Sequence, residues 1–176
     1  MNRISIRGAT LLLSAILSAS VVLADADAPG AGDQLALGTA ALKLILPSED
    51  WEIAQSRHRP DDSGVYYLLT SGRRGLVFSF FVEKTIACRT AGQCREHAMR
   101  NPAFQTARKI VLSEVGRYSI ATFELEISEN PPLRQTHLLA ETFVNGVEVD
   151  IHITRTGTAA ADPAALREFL NVLTFQ

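Results

Sequence analysis

Apolar and polar residues alternate over short runs through most of this chain, and the places where the alternation gives way to another period mark its organisation. The N-terminus is the first such place. Arg3 and Arg7 precede a nearly unbroken apolar stretch from Ala9 to Leu23, the layout of a secretory signal. Val22 and Ala24 stand at minus three and minus one to a cut before Asp25, so cleavage is expected after Ala24. The apolar run falls short of the roughly 20 residues that span a bilayer, which favours a cleaved signal over an anchor. No cysteine lies near the cut to carry a lipid.

Beyond residue 34 the period is mostly two. Ala41 to Leu46 ends in Pro47, and Trp51 to Gln55 follows the turn formers Ser48, Glu49 and Asp50, which predicts a strand pair. Val65 to Thr70 and Leu76 to Glu83 predict a hairpin whose tip, Ser71 to Gly75, carries Arg73 and Arg74. Leu76, Val77, Phe78, Phe80, Phe81 and Val82 are apolar at both alternating sets of positions, the pattern of a strand covered on both faces. Lys109 to Val115, Arg117 to Ile127, Leu133 to Val144 and Val147 to Arg155 read as four more strands. Asn145-Gly146 between the last two is the signal of a two-residue type I' turn, which needs positive φ at both central residues.

That turn fixes a register. It pairs Val144 with Val147, so Val147, Val149, Ile151 and Ile153 share a face with Val144, Thr142, Ala140 and Leu138, the expected core face. The opposite face carries Glu148, Asp150, His152 and Thr154 opposite Phe143, Glu141, Leu139 and His137. Opposed Glu141 and Asp150 repel unless a cation sits nearby.

Two segments change to helical spacing. The first opens at Thr90 as N-cap with Gln93 three residues on, and Asn101-Pro102 ends it. The second opens at Asp162 with Pro163 in the first helical position, and Leu166, Phe169, Leu170 and Leu173 give it one apolar face. Strands outnumber helices without regular strand-helix-strand alternation. The expected class is α+β: a curved antiparallel sheet of about six to seven strands covered by two or more helices. The expected division is a signal over 1–24, a flexible leader over 25–34 and one globular domain over 35–176.

Charge narrows the partners. The whole chain carries a net charge of -2, and losing Arg3 and Arg7 with the signal makes it more negative, which disfavours nucleic acid. Basic residues dominate from Arg57 to Lys109 and acidic ones from Ile110 onward. A solvated mixed surface accounts for this; a docking face, with Arg73 and Arg74 at its tip, is the alternative.

An export signal, an early strand ending in Leu46-Pro47 with Trp51 just beyond, a long aromatic hairpin, a middle helix, a meander and a closing helix together resemble the PsbP/Mog1-like superfamily, whose bacterial members include periplasmic DcrB-like proteins. The resemblance implies a curved sheet between helical layers used for binding or assembly. It implies no catalytic residues.

Cys88 and Cys94 are the only two cysteines, and in an exported chain an even pair is expected to be oxidised. Six residues apart in one helix they would sit about 9 Å from each other, beyond the roughly 7 Å that a disulfide reaches. Cys88 is therefore expected before the helix, in the turn leaving the strand.

No Gly-x-Ser-x-Gly elbow, phosphate-cradling loop, dinucleotide fingerprint or His-Glu-x-x-His zinc motif occurs. The residues thus favour an exported, periplasmic, non-catalytic protein that binds a small ligand or another periplasmic protein, with no cofactor, no metal and no membrane insertion of the mature chain. An inhibitor of an exported toxin and a small hydrolase or metal-dependent enzyme are the alternatives. His137, Glu141, Asp150 and His152 form the candidate polar ligand face. The competing account of that face is a satisfied hydrogen-bonded layer under a helix, or pairing with an arginine such as Arg134 or Arg155.

Overall fold

In a computed structural model the described residues are 34–37, 42–46, 51–61, 63–84 and 87–175. The expected signal, its cleavage site and the leader up to Asp33 lie outside them. Strands β3 (Trp51–His58), β4 (Gly64–Ser71), β5 (Leu76–Glu83), β6 (Arg108–Val115), β7 (Tyr118–Glu129), β8 (Pro132–Val144) and β9 (Val147–Gly157) form a seven-stranded antiparallel sheet in the order β3-β4-β5-β9-β8-β7-β6. A smaller sheet joins β1 (Gln34–Leu37), β2 (Leu42–Ile45) and β10 (Thr174–Phe175).

The strand pair expected from Ala41–Leu46 and Trp51–Gln55 does not form. β2 pairs with β1 and β10, whereas β3 pairs with β4 in the large sheet. Adjacency in sequence fails here because the closing strand β10, more than a hundred residues away, supplies the second edge for β2. Val144 pairs with Val147 and every later partner follows in step, as the turn requires. Asn145 and Gly146 take φ of 51° and 81°.

Alternation along the strands separates two apolar layers. On one face Phe78, Phe80, Ile120, Leu138, Ala140, Val149, Ile151 and Ile153 pack with Leu42 and Leu44 of the small sheet and with Leu166, Phe169 and Leu170 of helix α2 (Pro163–Val172). Trp51, at the start of edge strand β3, joins this layer 5.2 Å from Phe169 and 6.1 Å from Phe78 between ring centroids. Asp162 caps α2, its Oδ1 accepting from the Ala164 amide at 2.9 Å, and the Ala161 amide donates to Thr136 Oγ1 at 2.8 Å, tying the helix start to β8.

The other face carries a smaller cluster, in which Ala121, Phe123 and Leu139 pack with Ala98, Met99 and Phe104 from helix α1 (Ala91–Met99) and the 3-10 turn Pro102–Phe104 that follows it. Thr90 Oγ1 accepts from the Gln93 amide at 3.2 Å, and Gln93 Oε1 accepts from the Arg89 amide at 3.0 Å, so the return bond reaches one residue further back than the expected capping box. Helices cover both faces, but the second face of β5 is not sealed as its sequence suggested: Phe81 is half-buried and Val77 exposed. α1 lies over β7 and β8 and stops short of β5. Among the described residues no helix is long and apolar enough to cross a membrane.

Candidate functional site

The uncovered part of that second face is a groove of about 660 Å³, floored by β5, β9 and β8 and walled by α1 and the 3-10 turn. Antiparallel register dictates its floor, because directly paired residues share a face. One row runs Tyr66, Phe81, Asp150, Glu141, Ser119, Glu114 across β4, β5, β9, β8, β7 and β6. The neighbouring row runs Ser79, His152, Leu139, Ala121. On the other side Glu83 pairs with Glu148, which pairs with Phe143. Of these, Tyr66, Ser79, Phe81, Glu83, Leu139, Glu141, Glu148, Asp150 and His152 line the groove, with Phe104 and Cys94 opposite and His97 and Arg100 at its rim.

Glu141 is the residue that this geometry strains most. Its side chain is 1 % exposed, and its Oε2 is buried without a hydrogen-bond partner. Ser119, its neighbour on β7, donates its hydroxyl to Glu114 Oε1 at 2.7 Å instead, and Arg95 Nη1 donates to the same oxygen at 2.8 Å. The Oδ1 of Asp150 is likewise buried and unpartnered. Burial first, then the proximity of Asp150 and Glu148, pushes the Glu141 carboxyl far above the usual carboxylate range. Burial, followed by Glu148 and Glu83, pushes Asp150 up as well. At pH 7 Glu141 is therefore a neutral acid while Asp150 is near the middle of its titration, so the two do not stand as a pair of anions.

The histidines occupy different places. His152 lines the groove and sets its ring edge-on to Phe104, 5.8 Å between centroids. His137 does not line it: it is buried in the apolar layer behind, stacked on Phe123 at 4.8 Å with the rings 4° from parallel. His137 Nδ1 and His152 Nε2 lie 2.8 Å apart, and Thr154 Oγ1 stands 3.3 Å from that Nδ1. One ring nitrogen must donate and the other accept, which requires at most one proton between them. Burial lowers both rings, His137 to about 3 with the help of His152 and His152 to about 4, so both are neutral.

The structure thus brings together Glu141, Asp150 and His152 of the four residues expected on this face and sets His137 behind them. Of the competing account, the histidines do form a hydrogen-bonded pair beside Thr154, the carboxyls keep unpartnered oxygens, and pairing with Arg134 or Arg155 is not seen. Both arginines are exposed, and they neighbour Thr136 or pair with it, on the opposite face. Arg73 and Arg74, also exposed, sit at the β4–β5 tip, at the other end of β5 from Glu83, about 24 Å away at the rise of a strand. They are no part of the groove. Sequence reasoning missed Tyr66, Phe81, Glu83 and Phe104, because the β5–β9 pairing is not set by any local turn. The alternation of Phe81 and Glu83 with Phe80 and Val82 was the available signal.

Cys88 and Cys94 form a disulfide with Cα atoms 5.1 Å apart, Cys88 preceding the helix and Cys94 buried within it. It pins the start of α1 at the groove's edge. Both sulfurs and the Glu148 carboxylate come within 4.8 Å of one another. With the sulfurs bonded to each other there is no thiolate to ligate a metal, so the oxidised trio is not a metal centre.

The fold and site define an α+β protein with a seven-stranded antiparallel sheet and a polar groove on one face. No known family's sequence profile matches the chain and no curated protein does. Among solved structures it is similar to a protein from Bacteroides thetaiotaomicron VPI-5482, at 16% identity over 82% of this chain and 48% of that one, with a TM-score of 0.49. The chain therefore spans about half the length of that protein.

Proposed function

We propose that the chain is an exported, periplasmic, non-catalytic binding protein that takes a small ligand in the groove between α1 and the sheet, on a PsbP/Mog1-like scaffold. One observation carries the reading: Glu141, which lines a groove of about 660 Å³ and is 1 % exposed, holds a carboxyl oxygen with no partner from the protein. An orphaned buried polar group costs about 1–3 kcal/mol, and a ligand that supplies its missing partner recovers that energy. The volume lies within the range of small-molecule sites. The element order and the helices on both faces are compatible with the superfamily, and the disulfide is compatible with an oxidising compartment.

The test is native mass spectrometry of the mature protein, with thermal shifts against a panel of cationic, neutral and anionic small molecules. Ser79→Trp, which fills the groove floor, serves as the blocked control. A compound that raises the melting temperature of the wild type and not of the blocked variant is the expected result. No shift with any compound, or equal shifts in both proteins, refutes the reading.

The opposed Glu141 and Asp150 favour a second reading, a small hydrolase, because two adjacent carboxyls raised to different extents are suited to acid and base roles. Turnover of an ester, phosphate, peptide or glycan that disappears in Glu141→Gln supports it; a flat screen removes it.

A further inference from the structure

Four carboxyl groups converge on one end of the groove: Glu83 from β5, Glu141 from β8, and Glu148 and Asp150 from β9. Glu83 is bound by Arg59 at 2.5 Å. Among the described residues neither Glu141 nor Asp150 makes an ion pair, and each holds one oxygen buried without a partner. The two are direct cross-strand neighbours, so their side chains reach the same volume. Above and beside them the groove presents aromatic rings, from Phe81 and Tyr66 on the sheet and from Phe104 on the 3-10 turn. The positive or titratable groups that face it from α1, His97 and Arg100, are exposed at the rim, and the remaining titratable groups on the floor are His152 and Tyr66, whose phenol burial raises further.

A ligand's chemistry follows from what this end of the groove lacks. Two neighbouring acceptors are short of hydrogen-bond donors, and their charges, if formed, are short of a counter-charge. An anion is repelled by neighbouring Glu148, whose charge already raises both acids. A neutral hydroxyl supplies a donor and no charge.

Resting on the reading of the chain as a ligand-binding protein, we infer that the groove receives the cationic nitrogen of a small organic molecule, an ammonium or amidinium group, between Glu141 and Asp150, with its carbon body against Phe81 and Phe104. Ring faces attract such a cation as well as its hydrocarbon. The empty site keeps Glu141 protonated, since burial and the neighbouring Asp150 and Glu148 disfavour its anion. Entry of the cation makes an anion favourable: the O–H bond of one carboxyl breaks, its electron pair stays on oxygen as the partner of the ligand's N–H, and the proton leaves to solvent. Binding is thereby coupled to proton release. Affinity rises with pH by up to about tenfold per unit for each proton released, as long as the acids of the empty site stay protonated.

Isothermal titration calorimetry of the full mature protein tests this with a matched series: phenethylammonium and benzamidinium as cations, 2-phenylethanol as the neutral probe and phenylacetate as the anion. Each is titrated at pH 6.5 and 7.5 in two buffers of different ionisation enthalpy, which counts the protons released. Expected are cations bound at least about tenfold tighter than the alcohol, roughly one proton released per cation, tighter binding at the higher pH, and loss of the cation preference in Glu141→Gln and Asp150→Asn. The pH and buffer dependence is read on the wild type, so it stands even if a variant fails to fold. If the alcohol or phenylacetate binds as tightly as the cations, without proton release, and the groove-blocked Ser79→Trp loses that binding, the cation assignment is overturned and the binding reading survives. If no probe binds and native mass spectrometry finds no ligand, both are overturned.

Discussion

Replacing Glu141 with Gln is expected to stabilise the protein above pH 6.5. The sign follows from where the proton sits. In the unfolded chain the carboxyl ionises near its ordinary 4.5; in the fold, burial and the neighbouring Asp150 keep it protonated well above that. A group raised on folding contributes its full stability below the unfolded value and loses it as pH climbs toward the folded one. Each pH unit in that window removes about 1.4 kcal/mol. Between pH 6.5 and 8 Glu141 alone therefore lowers the wild type's stability by about 2 kcal/mol. The buried histidines do not disturb the measurement: their folded values are lowered to about 3 and about 4, so they destabilise the fold only as pH falls below 6.5. Gln preserves the shape of the protonated acid and does not titrate. Asp150, raised to about 7 by burial, Glu148 and Glu83, titrates in both proteins and adds the same smaller slope to each. Urea denaturation at half-unit pH steps is the assay. The variant's free energy should fall less steeply than the wild type's from pH 6.5 to 8, the curves parting by about 2 kcal/mol at the upper end. Parallel curves would mean that Glu141 is already an anion in the fold with a counter-charge, and the account of the groove would be wrong.

Three further outcomes check other parts of the structure. Changing Cys88 and Cys94 together to Ser should lower stability by about 2 kcal/mol without preventing folding, the value for closing so short a loop, and a reducing agent should lower the wild type's melting temperature while leaving the variant's unchanged. His137→Ala should cost about 2–4 kcal/mol in a urea titration because it empties a site stacked on Phe123, whereas His152→Ala should cost less and weaken any groove ligand; equal losses in both would remove the distinction between core and groove histidine. Arg73→Glu, at an exposed tip remote from the groove, should leave the melting temperature and the binding of groove ligands unchanged.

The parts of the fold legible in the sequence are those that local chemistry decides. Asn145-Gly146 can only turn one way, and with it came the complete β8–β9 register and the opposition of Glu141 to Asp150. Thr90, Asp162 and Pro163 mark helix starts because they satisfy or lack particular amides. The distance limit on a disulfide placed Cys88 outside the helix. What stayed hidden depends on contacts distant along the chain. No short-range feature of Ala41 to Gln55 shows that β2 will pair with β10, or that β5 will lie beside β9 and bring Phe81 to Asp150. Of the candidate site, the acidic pair and its histidine neighbour could be read in advance. Its depth could not, because that depends on how far α1 extends across the sheet.

That extent also explains why the groove is polar. Nine helical residues span about 13 Å, whereas seven strands at about 4.8 Å spacing extend over roughly 29 Å from first to last. On one face α2 and the small sheet together cover Trp51, Phe78, Phe80 and Ile151, and no carboxyl is buried there, the buried polar groups being the hydroxyls of Ser71, Thr122, Thr136 and Thr142. On the other, α1 and the 3-10 turn seal Ala121, Phe123 and Leu139, and the strands beyond lie open to the groove. The residues at that boundary are Glu141, Asp150 and His152, sheltered enough to lose water yet left unsealed by the short helix. Had the face been selected for packing alone, apolar residues at 141 and 150 would continue the Leu139 cluster and remove a strain on the fold. Acids retained there, at a cost that grows with pH, are accounted for by a ligand that brings the missing charge and donors.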